Sequence, residues 1–565
     1  MEIQGYFKNA LQKFKNKNYT EVSLGLPPKP EYFNWVDEIF YPLHVKNKGK
    51  RDALIWKYKD NIKKYSFQEV YDRSNQLLNL LRNHSVKESQ VIYTMLPLVP
   101  ENWLSFLAAM KGGYILMPTA TNLVSKDLVY RFETLMPDVI ITHSDYAATI
   151  DQAEKQSDTS IKLKIIVGAQ RKGWIGFETV QQESIEAQAA KTKADTPFLH
   201  FFTSGTTGLP KIVVHSQYTY PIGHLSTLSW LGCSDSDIHY NISSPGWAKF
   251  AWSSFFAPWN AGATIVVYQT DKFEPKAQLK TMEELGVSTF CGSPTVIRLL
   301  IQEDLSNYKL SLRSCCAAGE PLNPDVIDKW EQGTGVRIRD GYGQTETTAL
   351  IANIQGQKLK PGSMGKPIFL YDIGIYDEQG NELPPLEEGV ICVRTDIKKN
   401  NGLFKEYLHD AERMKEAFKH NLYYTGDKAY KDEDGYIWFI GRNDDVIKAS
   451  AYRIGPFEVE SILIEHDHII ESAVVASPHP IRAYAVKAFV ILKEGIQPNA
   501  QLAEELFSFC EFRLASYKIP RIIEFAPSLP KTISGKIRRI ELRANEAVSK
   551  QNKEDRQQEY FHNKY

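Results

Sequence analysis

Between Thr203 and Lys211 the chain reads Thr-Ser-Gly-Thr-Thr-Gly-Leu-Pro-Lys, directly after the apolar run Phe198–Phe202. Four hydroxyls and two glycines make a loop whose backbone N–H and side-chain O–H groups can wrap anionic oxygens, and Lys211 adds a cation. The nucleotide-triphosphatase loop G-x-x-x-x-G-K-[ST] does not fit: Pro210, not glycine, precedes Lys211. It also fails at Ser534-Gly535-Lys536, where Pro530 takes the first glycine position and Ile537 follows the lysine. Two further clusters invite metal readings. His466-Asp467-His468 offers alternating ligands without a third partner, where a helix should turn into a strand, and reads as a solvated loop. Cys315-Cys316 lies in an expected strand, so its thiols point to opposite faces and cannot share one zinc ion.

The elements that must position these residues alternate. Val91–Met95, Tyr114–Met117, Val139–Thr142, Ile165–Gly168 and Phe198–Thr203 read as buried strands, followed by Ala263–Tyr268, Val287–Cys291, Ser314–Ala317 and Val336–Arg339. Pro100–Lys111 has helical spacing closed by Gly112-Gly113, and Asn323-Pro324 opens a helix that Gly333 should end. This predicts an α/β fold: a large N-terminal body of fused α/β lobes with parallel sheets. After about Arg442 the pattern becomes a small α+β unit, with helices at Pro456–His466 and Asn499–Ser516 and strands at Glu471–Ala476, Ala485–Leu492 and Ile522–Phe525. A polar tail from Ala544 is expected to fray. The predicted domains are 1–443 and a mobile 444–565.

Across 565 residues, 67 Lys+Arg face 68 Asp+Glu, interspersed, which removes the basic stripe of a nucleic-acid binder. Six scattered cysteines read as reduced thiols. No apolar run is long enough to span a membrane, and the N-terminus lacks the apolar core of a secretory signal. A cytoplasmic enzyme is expected, with homo-oligomerisation left open.

The 203–211 loop resembles the phosphate-binding loop of the adenylate-forming superfamily, which includes acyl-CoA synthetases, luciferases and peptide-synthetase adenylation domains. Asp340-Gly341-Tyr342-Gly343-Gln344-Thr345-Glu346-Thr347 is similar to its second signature and Tyr424-Thr425-Gly426-Asp427 to its third. Gly441-Arg442-Asn443-Asp444-Asp445 resembles the inter-domain hinge, and Pro530–Lys536 the catalytic-lysine loop. All five stand in family order over nearly the whole chain. The resemblance implies an ATP- and Mg²⁺-dependent ligase that makes acyl-AMP and pyrophosphate, then acyl-CoA and AMP.

It assigns the nucleotide to Thr203, Ser204, Gly205, Thr206, Thr207, Gly208 and Lys211, with Thr206 also catalytic. Glu346 would hold Mg²⁺ and Thr345 the α-phosphate, with Gln344 beside them. Tyr342 and Gly319-Glu320-Pro321 would sandwich adenine, and Asp340, next to Gly341, would accept from its amino group. Asp427 would take the ribose hydroxyls with Arg442. Lys536 would bridge the attacking carboxylate and the α-phosphate. Asp444 matches the pivot on which the small domain alternates between half-reactions. Ser450, Ala451, Tyr452 and Arg453 would face coenzyme A, and Ala451 stands where these synthetases usually carry glycine.

Within the superfamily the chain is most similar to medium-chain acyl-CoA synthetases, through Ser244–Lys249, Phe290–Thr295 and Tyr452–Glu460. Acetyl-CoA synthetases place Trp before the Gln of the second signature; Gly343 stands there, so a larger acid is expected to enter. Trp230, Trp247, Lys249, Trp252 and Cys291 are the expected pocket positions, suited to a medium-chain, short branched or aromatic acid. Lys249 could pair with a second polar group on the substrate, or its ammonium could snorkel to the pocket mouth, which is the expectation taken. Two rival readings are a stand-alone ligase loading a carrier-protein phosphopantetheine, and a non-catalytic nucleotide-binding regulator.

Overall fold

The structure, a computed structural model, describes residues 2–16, 24–203, 210–396, 402–442, 444–449, 452–479, 483–532 and 536–562. The chain divides into two compact units: Met1–Thr203 with Pro210–Ile373 and Arg394–Asn421, and Gly374–Val393 with Leu422–Tyr565. Gly374–Val393 and Leu422–Arg442 thus group with the C-terminal region.

The first unit carries two large sheets. One runs, among the described residues, in the order Lys366–Pro367, Ala349–Ala352, Ile338–Gly343, Ser314–Ala318, Thr289–Gly292, Ile238–Asn241, Thr264–Gln269, Asp52–Tyr58, Asn61–Ser66. Its six central strands are parallel, with antiparallel strands added at both edges. The second runs Glu406–Tyr407, Lys211–Ser216, Pro197–Thr203, Ile115–Pro118, Val91–Met95, Val139–His143, Leu163–Val167, Ile175–Gly176. The short apolar runs become these parallel strands because both faces are covered and need no polar alternation. Phe290, Cys315, Ile338 and Trp330 share one buried cluster, and Tyr93, Ile140, Phe202 and Val214 another.

Helix ends mostly follow the sequence signals. Glu101–Gly112 stops at Gly113, whose φ of 70° is left-handed. The helix opened by Asn323 runs to Thr334, and Gly335, not Gly333, takes the left-handed cap at φ 72°. Gly333 stays helical, where a Cβ would strike the Leu305 side chain.

In the second unit, Ile373–Tyr376, Glu388–Arg394, Leu422–Lys431 and Ile437–Arg442 form consecutive strands of one sheet. Farther on, Ile469–His479, Ala483–Leu492, Ile522–Phe525 and Glu559–Phe561 form another, over the helices Pro456–Ile464 and Ala500–Arg513. Asn499 caps the latter, its Oδ1 accepting from Leu502 N at 2.8 Å. The expected fraying after Ala544 does not occur. Arg539–Asn552 is a helix, and Glu559–Phe561 closes the sheet. The cause is Lys487, buried and surrounded by carboxylates: Glu546 lies 2.6 Å from its ammonium, Glu524 also 2.6 Å, and Glu559 joins them. Two of these acids belong to the tail, so leaving it loose would strand a buried charge.

Candidate functional site

In the first unit, Thr203 and Lys211 face each other across the antiparallel hairpin that opens the hydroxyl-rich loop. Ser204, Gly205, Thr206, Thr207 and Gly208 lie outside the described residues. At the loop's root, Thr203 Oγ1 is out of solvent and has no partner among the described residues, an orphaned hydroxyl of the kind that holds a phosphate oxygen.

Lys211 meets the second signature. Its ammonium lies 3.0 Å from Glu346 Oε1 and 3.9 Å from the centre of the Tyr407 ring. Tyr407 donates its hydroxyl to the same Oε1 at 2.9 Å. Burial works to raise the Glu346 carboxyl, but the Lys211 charge and hydrogen bonds from Lys211 and Tyr407 outweigh it and hold it below the ordinary range. Glu346 is therefore a buried, ionised carboxylate with its Oε1 pinned. That chemistry fits a divalent cation such as Mg²⁺ at Oε2. His215 supports the turn by donating Nε2–H to the Thr345 carbonyl at 2.7 Å, and burial lowers this histidine to about 4, so the ring is neutral. Gln344 donates its backbone N–H to Thr347 Oγ1 at 2.9 Å.

Asp340 is buried, and its Oδ1 accepts the Gly341 N–H at 2.9 Å. Burial pushes its carboxyl well above the ordinary range. It pairs in register with Ala317 on the parallel neighbour, which continues into Gly319. Gly319 turns at φ 102° with open space on its Cβ side, so backbone there can approach a ligand. Half-buried Tyr342 follows on the signature strand. These are carboxyl ends of adjacent parallel strands, where α/β sheets bind ligands. Glu320 turns its side chain to Thr295 Oγ1 at 2.6 Å, leaving the Gly319-Glu320-Pro321 backbone as the offered surface.

The expected acyl-pocket residues gather behind that strand. Trp230 is fully buried, donates to the Arg339 carbonyl at 3.2 Å, and packs so tightly that a Cβ on Gly341 would fall 2.5 Å from its ring. Trp252 donates to Tyr220 Oη at 2.9 Å. A Cβ on Gly343 would meet the Thr348 carbonyl at 2.3 Å and the Trp252 ring at 2.5 Å. The room that glycine leaves at 343 is thus taken by Trp252 and backbone rather than standing open. Trp247 begins the short helix Ala248–Ala251 and packs against the second sheet's core. Cys291 is buried, in register with Asn241 and Cys316. The adjacent thiols diverge as expected: Cys316 Sγ meets the Trp230 carbonyl at 3.4 Å, and Cys315 joins the core on the other face. Lys249 does not snorkel. Its Nζ is shut from solvent and has no hydrogen-bond partner among the described residues, and burial lowers its pKa.

In the second unit, Asp427 and Arg442 are paired across adjacent strands, Nη1 to Oδ1 3.1 Å. Gly426, at φ 76° with open space, lets the chain turn just before Asp427. Asp444 is exposed, whereas its neighbour Asp445 binds Arg543. Ser450 and Ala451 lie outside the described residues, and Tyr452 and Arg453 sit on the return strand Tyr452–Ile454. Lys536 is exposed; its N–H donates to Thr532 Oγ1 at 3.1 Å and its carbonyl accepts from Thr532 N at 2.7 Å, closing the lysine loop. His466 does find a third partner, Glu505, at 3.0 Å. Its Nδ1 accepts the His468 N–H while Nε2 donates to Glu505, so both nitrogens are already engaged in the turn.

Sequence reasoning missed Tyr407 and His215. Neither belongs to a motif used above: Tyr407 sits on an edge strand paired with Lys211–Ser216, and His215, on Lys211–Ser216 itself, reaches Thr345 by a side-chain hydrogen bond.

The AMP-binding enzyme family model matches residues 43–408, and the AMP-binding enzyme C-terminal domain matches 458–536. A 4-hydroxybutyrate–CoA ligase of Metallosphaera sedula is 45% identical over 94% of this chain and 93% of its own length. Human mitochondrial acyl-coenzyme A synthetase ACSM3 is 40% identical over 93% and 91%. Among solved structures, the anthranilate CoA ligase AuaEII in complex with anthranoyl-AMP superimposes with a TM-score of 0.85 at 28% identity, covering 92% of this chain and 99% of that one. A benzoate CoA ligase from Burkholderia xenovorans gives 0.79 at 25%, covering 90% and 100%.

Proposed function

The chain belongs to the AMP-binding enzyme family and is an AMP-forming acid–CoA ligase using ATP and coenzyme A, and on that premise we propose which residues carry its two half-reactions. A carboxylate oxygen attacks the α-phosphorus of ATP; the bond to the β-phosphate oxygen breaks, and pyrophosphate leaves. The thiolate sulfur of coenzyme A then attacks the acyl carbon, and AMP departs with the electron pair.

Lys211, the Thr203 hydroxyl and residues 204–208 hold the triphosphate, and Thr345 donates to the α-phosphate. Glu346 would hold Mg²⁺, which is usual for this family and when bound would supply positive charge against the phosphates. Tyr342 and the 319–321 backbone take the adenine faces, and its amino group gives buried Asp340 a donor beyond the Gly341 N–H. In the second unit, Asp427, steadied by Arg442, takes the ribose hydroxyls. Lys536, exposed and free to move, stabilises charge that develops in adenylation. Asp444 is the pivot, and Ser450 to Arg453 face coenzyme A. The observation that carries this reading is Glu346: burying a carboxylate and keeping it ionised with Lys211 and Tyr407 is costly unless a cation is to be held there.

The acid is a medium-chain, short branched or aromatic one. A 4-hydroxy acid is a second reading, favoured by the name of the 45% identical relative. Described helices include none long and apolar enough to cross a membrane. We place the enzyme in the cytoplasm, which suits its six buried cysteines, none of them in a disulfide. The test is pyrophosphate release over an acid panel with and without coenzyme A, with products read by mass spectrometry. Acyl-CoA formation supports the reading; adenylation without transfer to free coenzyme A would favour the carrier-loading alternative.

A further inference from the structure

Most buried charge in this molecule is spoken for: Lys211 by Glu346, Lys487 by its three carboxylates, Arg313 by Asp237. Lys249 has no such partner among the described residues and needs a reason. It sits in the short helix Ala248–Ala251, between Trp247 and Trp252, and Trp252 packs on Gly343 of the signature strand. The ionisable groups whose charge acts on it are the thiols of Cys291, Cys315 and Cys316, the Glu320 carboxylate and His239. None of them bonds its Nζ, and Glu320 is already taken by Thr295 and Arg298. Two more oxygens on the same stretch, Asn241 Oδ1 and Ser253 Oγ, are also buried without partners. A long amine shut away without a partner is costly in the free protein, and evenly apolar chains would leave that cost uncorrected.

Resting on the ligase reading above, we propose that Lys249 reads the far end of the acyl chain, and that the preferred acids carry a hydroxyl there. A hydroxyl is a small group that pairs with either form of this lysine, accepting from an ammonium or donating to a neutral amine. A second carboxylate fits less well: it would bring a full charge to one lysine, opposite the Glu320 carboxylate and with no second cation among the groups facing Lys249. Asn241 Oδ1, on the same stretch of chain, is an unfilled acceptor of the kind such a hydroxyl needs. A site built to hydrogen-bond a hydroxyl discriminates strongly against the parent acid, because its polar groups then stay unpaired.

The experiment measures kcat/KM for pyrophosphate release on straight-chain hydroxy acids from three to six carbons, each beside its unsubstituted parent and the dicarboxylate of equal length. The wild-type enzyme should prefer one hydroxy acid over its parent by about tenfold or more. Lys249→Met should collapse that ratio toward one, while Lys249→Gln, which keeps a donor, should retain part of it. The proposal is overturned if the wild-type ratio stays near one along the ladder, if the dicarboxylate wins, or if Lys249→Met slows both acids equally. Should Lys249→Met fail to fold, the wild-type ladder and Lys249→Gln still decide. Turnover of parent acids without hydroxyl preference would overturn this proposal alone; no pyrophosphate from any acid would overturn the ligase reading itself.

Discussion

Two regions of the first unit treat buried polar groups in opposite ways. At the carboxyl end of the signature strand, Lys211, Tyr407 and Glu346 satisfy one another, and His215 pins the turn that carries them. Elsewhere in the unit, on the stretch from Asn241 to Ser253, Lys249, Asn241 and Ser253 leave buried polar atoms without a partner among the described residues. The first arrangement is complete before any acid arrives, so it can serve every substrate alike. The second is complete only with a particular acid. Preorganised charge lowers a barrier common to all substrates, whereas an unpaired buried group discriminates between them.

The sharpest way to break this contrast is at Glu346. Glu346→Ala removes the carboxylate that would hold Mg²⁺ and should slow acid-dependent ATP–pyrophosphate exchange by about 10³-fold, a rise of about 4 kcal/mol in the barrier. The loss should be the same for every acid. An acid-dependent loss would show that the two regions are not separate. Lys536→Ala should follow with a loss of about 10²–10³-fold in the same exchange, again uniform across acids. Coenzyme A attack on supplied acyl-AMP should largely survive; loss of both half-reactions together would remove Lys536 from the adenylation step.

The paired region was the more legible of the two. Strand runs such as Ser314–Ala317 and Val336–Arg339 identified a parallel sheet, and the second signature fell at its carboxyl edge, where Asp340 and Glu346 were expected. Tyr407 was invisible because it meets Glu346 across 61 positions of sequence, through an edge strand of two residues. Lys249 was named as a pocket residue, but its state was misjudged. Lysine beside aromatics normally reaches solvent, and no local pattern reveals that packing seals its amine. The tail was missed for a similar reason: its polar residues look solvated, yet Glu546 and Glu559 turn inward to Lys487.

Gly343 tests whether the boundary between the regions is packing or empty space. A tryptophan there was expected to close the pocket toward acetate. With the Thr348 carbonyl 2.3 Å and the Trp252 ring 2.5 Å from any Cβ, the backbone has no room to give. Gly343→Ala should already cost about 1–3 kcal/mol of stability, read as earlier thermal unfolding of the first unit. Gly343→Trp should be worse folded rather than acetate-selective. A stable, acetate-preferring Gly343→Trp enzyme would mean that Trp252 moves freely and that the two regions are not held apart by packing.

The smallest change is Tyr407→Phe. It keeps the ring over Lys211 and removes only the hydroxyl that donates to Glu346 Oε1. A hydrogen bond to a charged group contributes about 1.5–3 kcal/mol; with Lys211 still in place, the lower end is expected, about tenfold in rate. The sign of the pH effect follows from the causes. Burial raises the Glu346 carboxyl and Lys211 and Tyr407 hold it down, so removing one of the two lets its pKa rise. The ionised form that holds Mg²⁺ is lost as pH falls through that pKa, so the acid limb of kcat/KM should move to higher pH. It should move equally for hydroxy and parent acids, because the hydroxyl lost belongs to the paired region. A limb that stays in place would show that Lys211 alone sets the charge of Glu346, and a shift for one acid class only would join what the structure keeps apart.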